Sequence, residues 1–391
     1  MSDKGKEQFR VERDPKGEVQ IAAGAYYGIN TARTKEEWFW IGDPTSPHLI
    51  KAYLYIKQAY ALTHSKLTSF DAKTAQAIIQ ACEEMRTDNY SQQFIAESLQ
   101  SISGITLNTN INEVLANRAE EILGGKVGEY KLVKIEEAVN LNQNADSLFL
   151  LSTKIGILQA LAELEPEILN LERLLRRDAL TLAKVLKVSA MPNIQSTTGQ
   201  WGKRLNLFTT ELEIAIKRIK ESESNLLYEA SAEMETGSAF AEVNNARNEI
   251  NKLMLQNLSV LTGFRLKEED LQVASNGQSE FVISDLVLVS SALKDLATVL
   301  SKVAAVTKIA HTPSLLDQTN EKPDATRVQI FADSLHMSAY QVVSNNFSFT
   351  FLAQCEQLES VMLMPLLSHN LLTTIDILKA IVLGFQRKGL L

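Results

Sequence analysis

Cysteine and histidine are scarce in this chain of 391 residues, which contains two cysteines and five histidines. Cys82 and Cys355 lie far apart and belong to no CxxC or Cys/His cluster, so we expect two buried free thiols and neither a disulfide nor a metal site. The histidines are scattered, and His311, beside a proline-containing break, is the strongest functional candidate among them. The sequence therefore predicts no metal and no cofactor.

Signature motifs of several enzyme classes are also missing. No GxGxxG follows a strand pattern and no GxxxxGK[ST] occurs, so we predict no nucleotide-binding fold. HExxH and GxSxG are absent as well, which argues against zinc metalloproteases and α/β-hydrolases.

Positive charge is in deficit, with 39 Lys and Arg against 47 Asp and Glu and a net charge of −8. Recognition of a phosphate backbone needs clustered Lys and Arg, so we expect no nucleic-acid partner. The polar start, MSDKGKEQFRVERD, has no apolar signal region, and the pattern predicts no membrane-spanning stretch. We therefore expect a cytoplasmic protein without a membrane partner, whose charged first twenty residues are poorly ordered at their start.

Helical periodicity dominates the chain from residue 139 onward. Between Phe281 and about Lys308, apolar residues recur at alternating three- and four-residue steps and share one helical face. Other faces of this helix are also apolar, so we predict the centre of a bundle assembled from several subunits, the alternative being a core within one chain. Pro166 is expected to interrupt or kink an earlier long helix. The stripe consists of Leu286, Val289, Leu293, Leu296, Leu300 and Val303.

Six dispersed stretches carry a recognisable pattern: AYYGINTART, GITLNTNINEVLANRAEEILG (the first region), VNLNQNADS (the second region), STTGQWGKRL, QVASNGQSEFVISDLVLVSSALKDLA and AQCEQLESVMLMPLL. In this order they resemble the aspartase/fumarase superfamily of lyases, closest to its aspartate ammonia-lyase branch. Arg33 stands at the position of an N-terminal arginine of the family.

The resemblance implies an all-α subunit in three parts. Residues 1–138 would form an N-terminal helical domain, residues 139–364 a long-helix bundle, and residues 365–391 a remnant of a C-terminal domain that the family carries in full. It also implies a homotetramer that shares the central bundle, with active sites built from segments of three subunits.

Family chemistry removes ammonia, an amine or water from a succinate-type substrate and usually releases fumarate. By resemblance, a serine on a GSSxMPxKxNP loop takes the proton, and a lysine and an asparagine hold the substrate. Counting back from AQCEQLESVM without gaps places that loop on residues 319–329. There the serine position reads Glu321, or alternatively Asn320, the lysine position Thr326 and the asparagine position Val328. The second region's histidine likewise reads Ala138.

Polar residues that could bind substrate survive in the first and second regions. Thr106, Asn108 and Asn110 offer hydroxyl and amide donors to a carboxylate, and Asn140 and Gln143 can add to the same pocket. The resemblance thus implies a dicarboxylate ligand. The alternative is that these side chains cap the following helix and satisfy buried backbone groups.

Three functions fit these observations. The first is a non-catalytic homologue that keeps the scaffold for binding, regulation or co-assembly with an intact family lyase. The second is a repurposed enzyme in which Glu321 is a carboxylate base and Lys322 or Arg327 holds an anion. The third is a divergent ammonia-lyase with a base elsewhere, Ser314 being the nearest serine. Because residues that act as a unit do not compensate for one another, their joint loss favours the first function.

Overall fold

A computed structural model describes residues 8–37, 42–67, 71–99, 104–188, 192–230, 241–269, 278–310, 325–352 and 362–388. Helices make up nearly all of this structure, which confirms the predicted all-α class. In chain order the elements are β1 (Phe9–Asp14), β2 (Gly17–Ala22), α1 (Ile29–Glu37), α2 (Pro47–Lys66), α3 (Ala72–Met85), a 3₁₀ turn (Asp88–Gln93), α4 (Ile105–Ile122), a π-helical turn (Ile135–Val139), α5 (Ala145–Val188), α6 (Pro192–Leu226), β3 (Tyr228–Ala230), α7 (Ala241–Thr262), β4 (Lys267–Glu269), α8 (Gln278–Ala310), α9 (Ala325–Leu352) and α10 (Met364–Lys388).

The chain divides into two compact units. Unit 1 comprises residues 1–157, 226–282 and 355–369, and unit 2 comprises residues 158–225, 283–354 and 370–391. Unit 1 contains α1 to α4, α7 and the first residues of α5, α8 and α10, whereas α6, α9 and the rest of these three helices belong to unit 2. The three-part division expected from the resemblance stays a prediction.

An antiparallel hairpin, β1 paired with β2, begins within the charged first twenty residues of the chain. Its register runs from Phe9 opposite Ala22 to Asp14 opposite Gly17. Val19 and Ile21 alternate toward the inside and are buried with the first residues of α1. This period-two alternation within GEVQIA is the strand signal, and it orders the chain just before the site.

The apolar stripe of α8 is buried within the single chain, since its six residues are each at most 1% exposed. The stripe therefore forms a core within one chain, which was the alternative to a bundle assembled from several subunits. Exposed apolar residues lie instead on α9, where Met337, Tyr340, Phe347 and Phe351 are each 60–64% exposed. Their steps of three, seven and four residues place them on one side of the helix, which we call the α9 face.

Helix α5 runs without interruption for 44 residues through Pro166, so the predicted interruption is wrong. Proline removes one helical hydrogen bond and strains the preceding turn. Leu161, Leu164 and Ile168 flank this position and are each at most 1% exposed, so packing on both sides of the proline holds the helix together.

Two helices are long and apolar enough to cross a membrane by length and composition alone, at Ala145–Arg177 and Met364–Gln386. Within the fold, 78% and 50% of their apolar windows are buried. Such burial is what helices that supply a protein core show.

Candidate functional site

Helix α4 carries the strongest of the sequence patterns, and four buried polar residues line one of its sides. They recur at steps of three, four and three residues and are each at most 1% exposed. We call this set the α4 polar face: Asn110, Glu113, Asn117 and Glu120.

Asn110, a candidate ligand for substrate, is bonded to the chain just before α4. Its Oδ1 accepts from the backbone N–H of Ile95 at 2.9 Å and of Ala96 at 3.2 Å, and its Nδ2 donates to the carbonyl of Gln93 at 3.1 Å. Both lone pairs of the amide oxygen are thus occupied. Asn110 fastens residues 93–96 to α4, as the structural alternative expects.

Glu113 holds the start of α1 against α4 in a similar way. Its carboxylate accepts from the N–H groups of Gly28 at 2.8 Å, Asn30 at 2.9 Å and Thr31 at 3.1 Å. The first N–H groups of a helix have no partner within the helix, and negative charge is favourable there. A side chain at Gly28 would overlap this carboxylate and the Tyr130 hydroxyl, so only glycine fits.

The remaining two members hold the segment after α4. Asn117 accepts from the N–H of Gly128 at 2.7 Å and donates to the carbonyl of Tyr26 at 2.8 Å. Glu120 accepts from three successive backbone N–H groups of residues 131–133, at 2.8–3.1 Å. The α4 polar face therefore organises the backbone of unit 1.

Asn108 and Asn140, two further candidates, meet in a buried network around Lys57. Lys57 is 1% exposed and donates to Asn140 Oδ1 at 3.2 Å, and Asn108 Nδ2 donates to the same oxygen at 3.4 Å. Asn140 Nδ2 in turn donates to Glu136 at 2.9 Å. Burial lowers the pKa of Lys57 to about 7. The Asn140 side chain is thus committed to internal partners.

Gln143 lies one turn further on and points back along the chain. Its Nε2 donates to the carbonyl of Val139 at 2.9 Å. Its Oε1 is buried and has no hydrogen-bond partner among the described residues, and the same holds for Oδ1 of Asn108. These two oxygens are acceptors, so neither can serve a substrate carboxylate.

Thr106 lines a pocket of about 480 Å³ together with α1, the hairpin and the π-helical turn. We call it the first-region pocket. Its charged residues are three carboxylates (Asp14, Glu37 and Glu136) and two cations (Lys16 and Arg33).

Both cations of this pocket are already paired. Arg33 makes two hydrogen bonds of 2.6 Å with the carboxylate of Asp14, and its guanidinium lowers the pKa of that carboxyl group. Lys16 lies 3.3 Å from Glu37. Counted by its lining residues, the first-region pocket therefore has one more carboxylate than it has cations, and that carboxylate, Glu136, accepts from Asn140.

Comparison with protein-family models gives one decisive match, a family described as lyase, over residues 17–310. This chain belongs to that lyase family. Together with its relatives and structural neighbours, the match places it in the aspartase/fumarase superfamily. The expectation drawn from the six stretches is confirmed at this level.

Curated relatives of this chain include the aspartate ammonia-lyases of Bacillus subtilis and Pseudomonas aeruginosa. They are 28% and 26% identical over 96% and 95% of this chain, and the chain covers 79% of each relative. Among solved structures, a fumarate lyase:delta crystallin from Brucella melitensis has a TM-score of 0.80 at 21% identity, covering 97% of this chain and 87% of that one. A class II fumarase from Schistosoma mansoni has a TM-score of 0.77 at 21% identity, covering 97% and 84%. These two structures establish the fold.

The two candidate catalytic residues of this chain, Glu321 and Ser314, lie outside the described residues, as does His311. The positions of the family's loop lysine and asparagine, Thr326 and Val328, fall in the first turn of α9. Assignment of a base on this loop stays a prediction.

Sequence reasoning missed two residues of the site, Lys57 and Glu136. Lys57 sits in the run YLYIKQAYA, where burial of both neighbours (Ile56 at 0% and Gln58 at 2%) shows that the helix is enclosed on all sides. A lysine within such an apolar run is the signal that could have found it. The signal that could have found Glu136 is its charge, since it is an acidic residue two positions before the family's histidine position.

Proposed function

We propose that this chain is a non-catalytic member of the aspartase/fumarase superfamily that keeps the lyase scaffold as a binding or assembly subunit. The observation that carries this proposal is the charge of the first-region pocket. Its lining has three carboxylates and two cations; the cations are paired with Asp14 and Glu37, and the third carboxylate, Glu136, accepts a hydrogen bond from Asn140.

The family's reaction would be poorly served by such a pocket. Removing the proton beside a carboxylate generates a dianionic intermediate, which needs cations or donors aimed at it. Glu136 would instead repel it, and the amides of Asn110 and Asn140 are bonded to the protein itself. Substrate and intermediate are therefore both disfavoured.

The loop sequence supports the same conclusion. Threonine and valine at positions 326 and 328 replace a lysine that supplies charge and an asparagine that supplies an amide. Because the effects of catalytic residues that act as a unit are not additive, one substitute base at Glu321 would not restore the activity.

Assembly is the function that the remaining surface favours. We propose a cytoplasmic homotetramer, or a mixed tetramer with an intact family lyase, in which the α9 face is covered by another subunit. A contiguous exposed apolar surface marks an interaction site, and the α9 face has four large apolar residues in line.

Fumarate release, followed by ultraviolet absorbance, tests the proposal. The purified oligomer is given aspartate, malate, argininosuccinate and adenylosuccinate, and the aspartate ammonia-lyase of Bacillus subtilis is the positive control. We expect no release above background from a protein that is folded by circular dichroism. Release from any substrate would overturn the proposal in favour of a repurposed or divergent lyase.

Two variants would then separate those alternatives. Loss of turnover in Glu321→Ala identifies a carboxylate base, and loss in Ser314→Ala identifies a relocated serine. Both variants should keep the wild-type mass, so that lost turnover reflects chemistry and not assembly.

A further inference from the structure

A second cavity of about 480 Å³ lies in unit 1, lined by residues that the first-region pocket does not use. It is formed by the first turn of α2, the end of α3, the 3₁₀ turn and the segment 93–97, and we call it the α2–α3 cavity. Its volume is within the range of small-molecule sites, roughly 300–1,000 Å³.

One wall of the α2–α3 cavity is apolar. Ile50, Met85, Phe94 and Ile95 line it, and Met85 and Phe94 are 2% and 7% exposed, so these side chains are fixed in the core. Ligand pockets typically combine such a wall with a few polar groups that set the orientation.

The polar groups of this cavity are two opposite charges that do not satisfy each other. Lys51 lines the cavity, and within the described part of the chain its ammonium group has no hydrogen-bond or ion-pair partner. Glu97 lines it too, and its Oε2 is buried without a hydrogen-bond partner among the described residues. Burying a polar atom without a partner is costly, so Glu97 Oε2 favours a ligand that donates to it, and the half-buried Lys51 beside it is available to an anionic group.

Arg86 adds a fixed cation to the same cavity. Its guanidinium lies 4.4 Å from the centre of the Tyr55 ring and donates to the side chain of Gln58. Together with Lys51, Arg86 gives the cavity lining two cations, which favour an anionic group of a ligand. Glu97 is the carboxylate of the lining that can accept from a cationic group.

We propose that the α2–α3 cavity binds an α-amino acid with an apolar side chain. The ligand's carboxylate pairs with Lys51, its ammonium group donates to Glu97, and its side chain packs on the apolar wall. A dicarboxylate would leave the wall and Glu97 unmatched, and a purely apolar ligand would leave both charges without partners.

Isothermal titration calorimetry with phenylalanine as the probe tests this proposal. Phenylacetate lacks the ammonium group, phenethylamine lacks the carboxylate, and aspartate lacks the apolar side chain. We expect phenylalanine to bind and each analogue to bind at least roughly tenfold more weakly, as the loss of one charged hydrogen bond or of the apolar contact predicts. Absence of phenylalanine binding, or equal binding of any analogue, would overturn the proposal.

Variants locate the binding. Lys51→Gln and Glu97→Gln should each weaken phenylalanine binding by roughly tenfold, and Ile50→Trp should abolish it by filling the cavity. Lys16→Gln, in the first-region pocket, is the matched control and should bind like the wild type. Wild-type affinity in Lys51→Gln or Glu97→Gln would refute the assignment, provided that thermal unfolding shows each variant to be folded.

Discussion

Glu113 and Gly28 are fixed against each other: Oε2 of Glu113 accepts the N–H of Gly28 at 2.8 Å, and a Cβ on Gly28 would lie 2.9 Å from the same carboxylate. The bond is one of three that this carboxylate makes at the start of α1. Glutamine at position 113 keeps the shape but turns an NH₂ group toward one of those donors.

We therefore expect Glu113→Gln to lower the free energy of unfolding by roughly 1–3 kcal/mol, the cost of leaving buried groups without partners. Urea unfolding measures this as a lower midpoint with an unchanged slope. Glu137→Gln is the control, because its ion pair with Lys134 is exposed and should contribute little. Equal midpoints for the two variants would contradict the capping role of Glu113.

Lys57 should make stability depend on pH in the alkaline range. Its pKa is about 7 in the folded protein, lowered by burial from 10.5, so the unfolded chain binds more protons between these values. Stability therefore rises with pH across this window, by at most about 1.4 kcal/mol per pH unit.

Lys57→Met should remove that rise and stabilise the protein at neutral pH. Chemical unfolding at several pH values between about 7 and 10 tests this, with the exposed Lys134→Met as the control. If the wild type and Lys57→Met showed the same pH dependence, the buried amine would not be the cause.

Glu223 should have the opposite pH effect in unit 2. Burial and the neighbouring carboxylate of Glu165, which Lys220 approaches at 3.7 Å, raise the pKa of Glu223 to about 7 from 4.5. The unfolded chain loses this proton first, so stability falls as pH rises from about 4.5 to 7.

In Glu223→Gln this fall should largely disappear, whereas the exposed Glu221→Gln should keep it. Thermal unfolding across the same pH range provides the comparison. A fall that persists unchanged in Glu223→Gln would assign it to other groups.

The α9 face predicts where subunits meet. Phe347→Asp, alone or with Met337→Asp, should reduce the oligomer to smaller species in light scattering, because each side chain is at least 60% exposed in the single chain. Val260→Asp, at an 84% exposed position in unit 1, is the control and should leave the mass unchanged. An intact oligomer in Phe347→Asp would exclude this face. Leu293→Asp is unsuitable, because Leu293 is 0% exposed and the change would unfold the chain.

Reversing the charge of the first-region pocket should restore anion binding. Asp14→Asn frees Arg33, and Glu136→Gln removes the surplus carboxylate. Titration calorimetry with succinate should show no binding to the wild type and measurable binding to the double variant, which weakens as salt screens the interaction. Failure of the double variant to bind would mean that pocket charge is not what excludes the dicarboxylate.

Helices were the predictable part of this fold, because apolar periodicity and local capping are encoded within a few residues. Asp71, for example, directly precedes α3 and accepts from the N–H of Thr74 at 2.9 Å, and aspartate is a common capping residue at this position. The partners of long-range groups were not predictable. Nothing near Asn110 in sequence indicates that residues 93–96 will reach its amide, and the burial of the α8 stripe depends on helices distant in the chain.

The site shows the same division. The first region correctly marked a polar cluster, but residue type alone left open whether an asparagine serves a ligand or the backbone. Asn110 makes three hydrogen bonds to the backbone of residues 93–96, which favours the backbone role. Lys57 reaches Asn140, which also bonds Glu136, only because the fold brings α2 against the π-helical turn.

The α4 polar face has a consequence for how such chains are recognised. Its four residues are four of the ten specified positions of the NxNEVxANRAEE pattern, and each of them holds backbone of this fold in place. A sequence search that scores this pattern detects architecture. A family name assigned from this pattern therefore indicates the fold, and the activity is established separately by an enzyme assay.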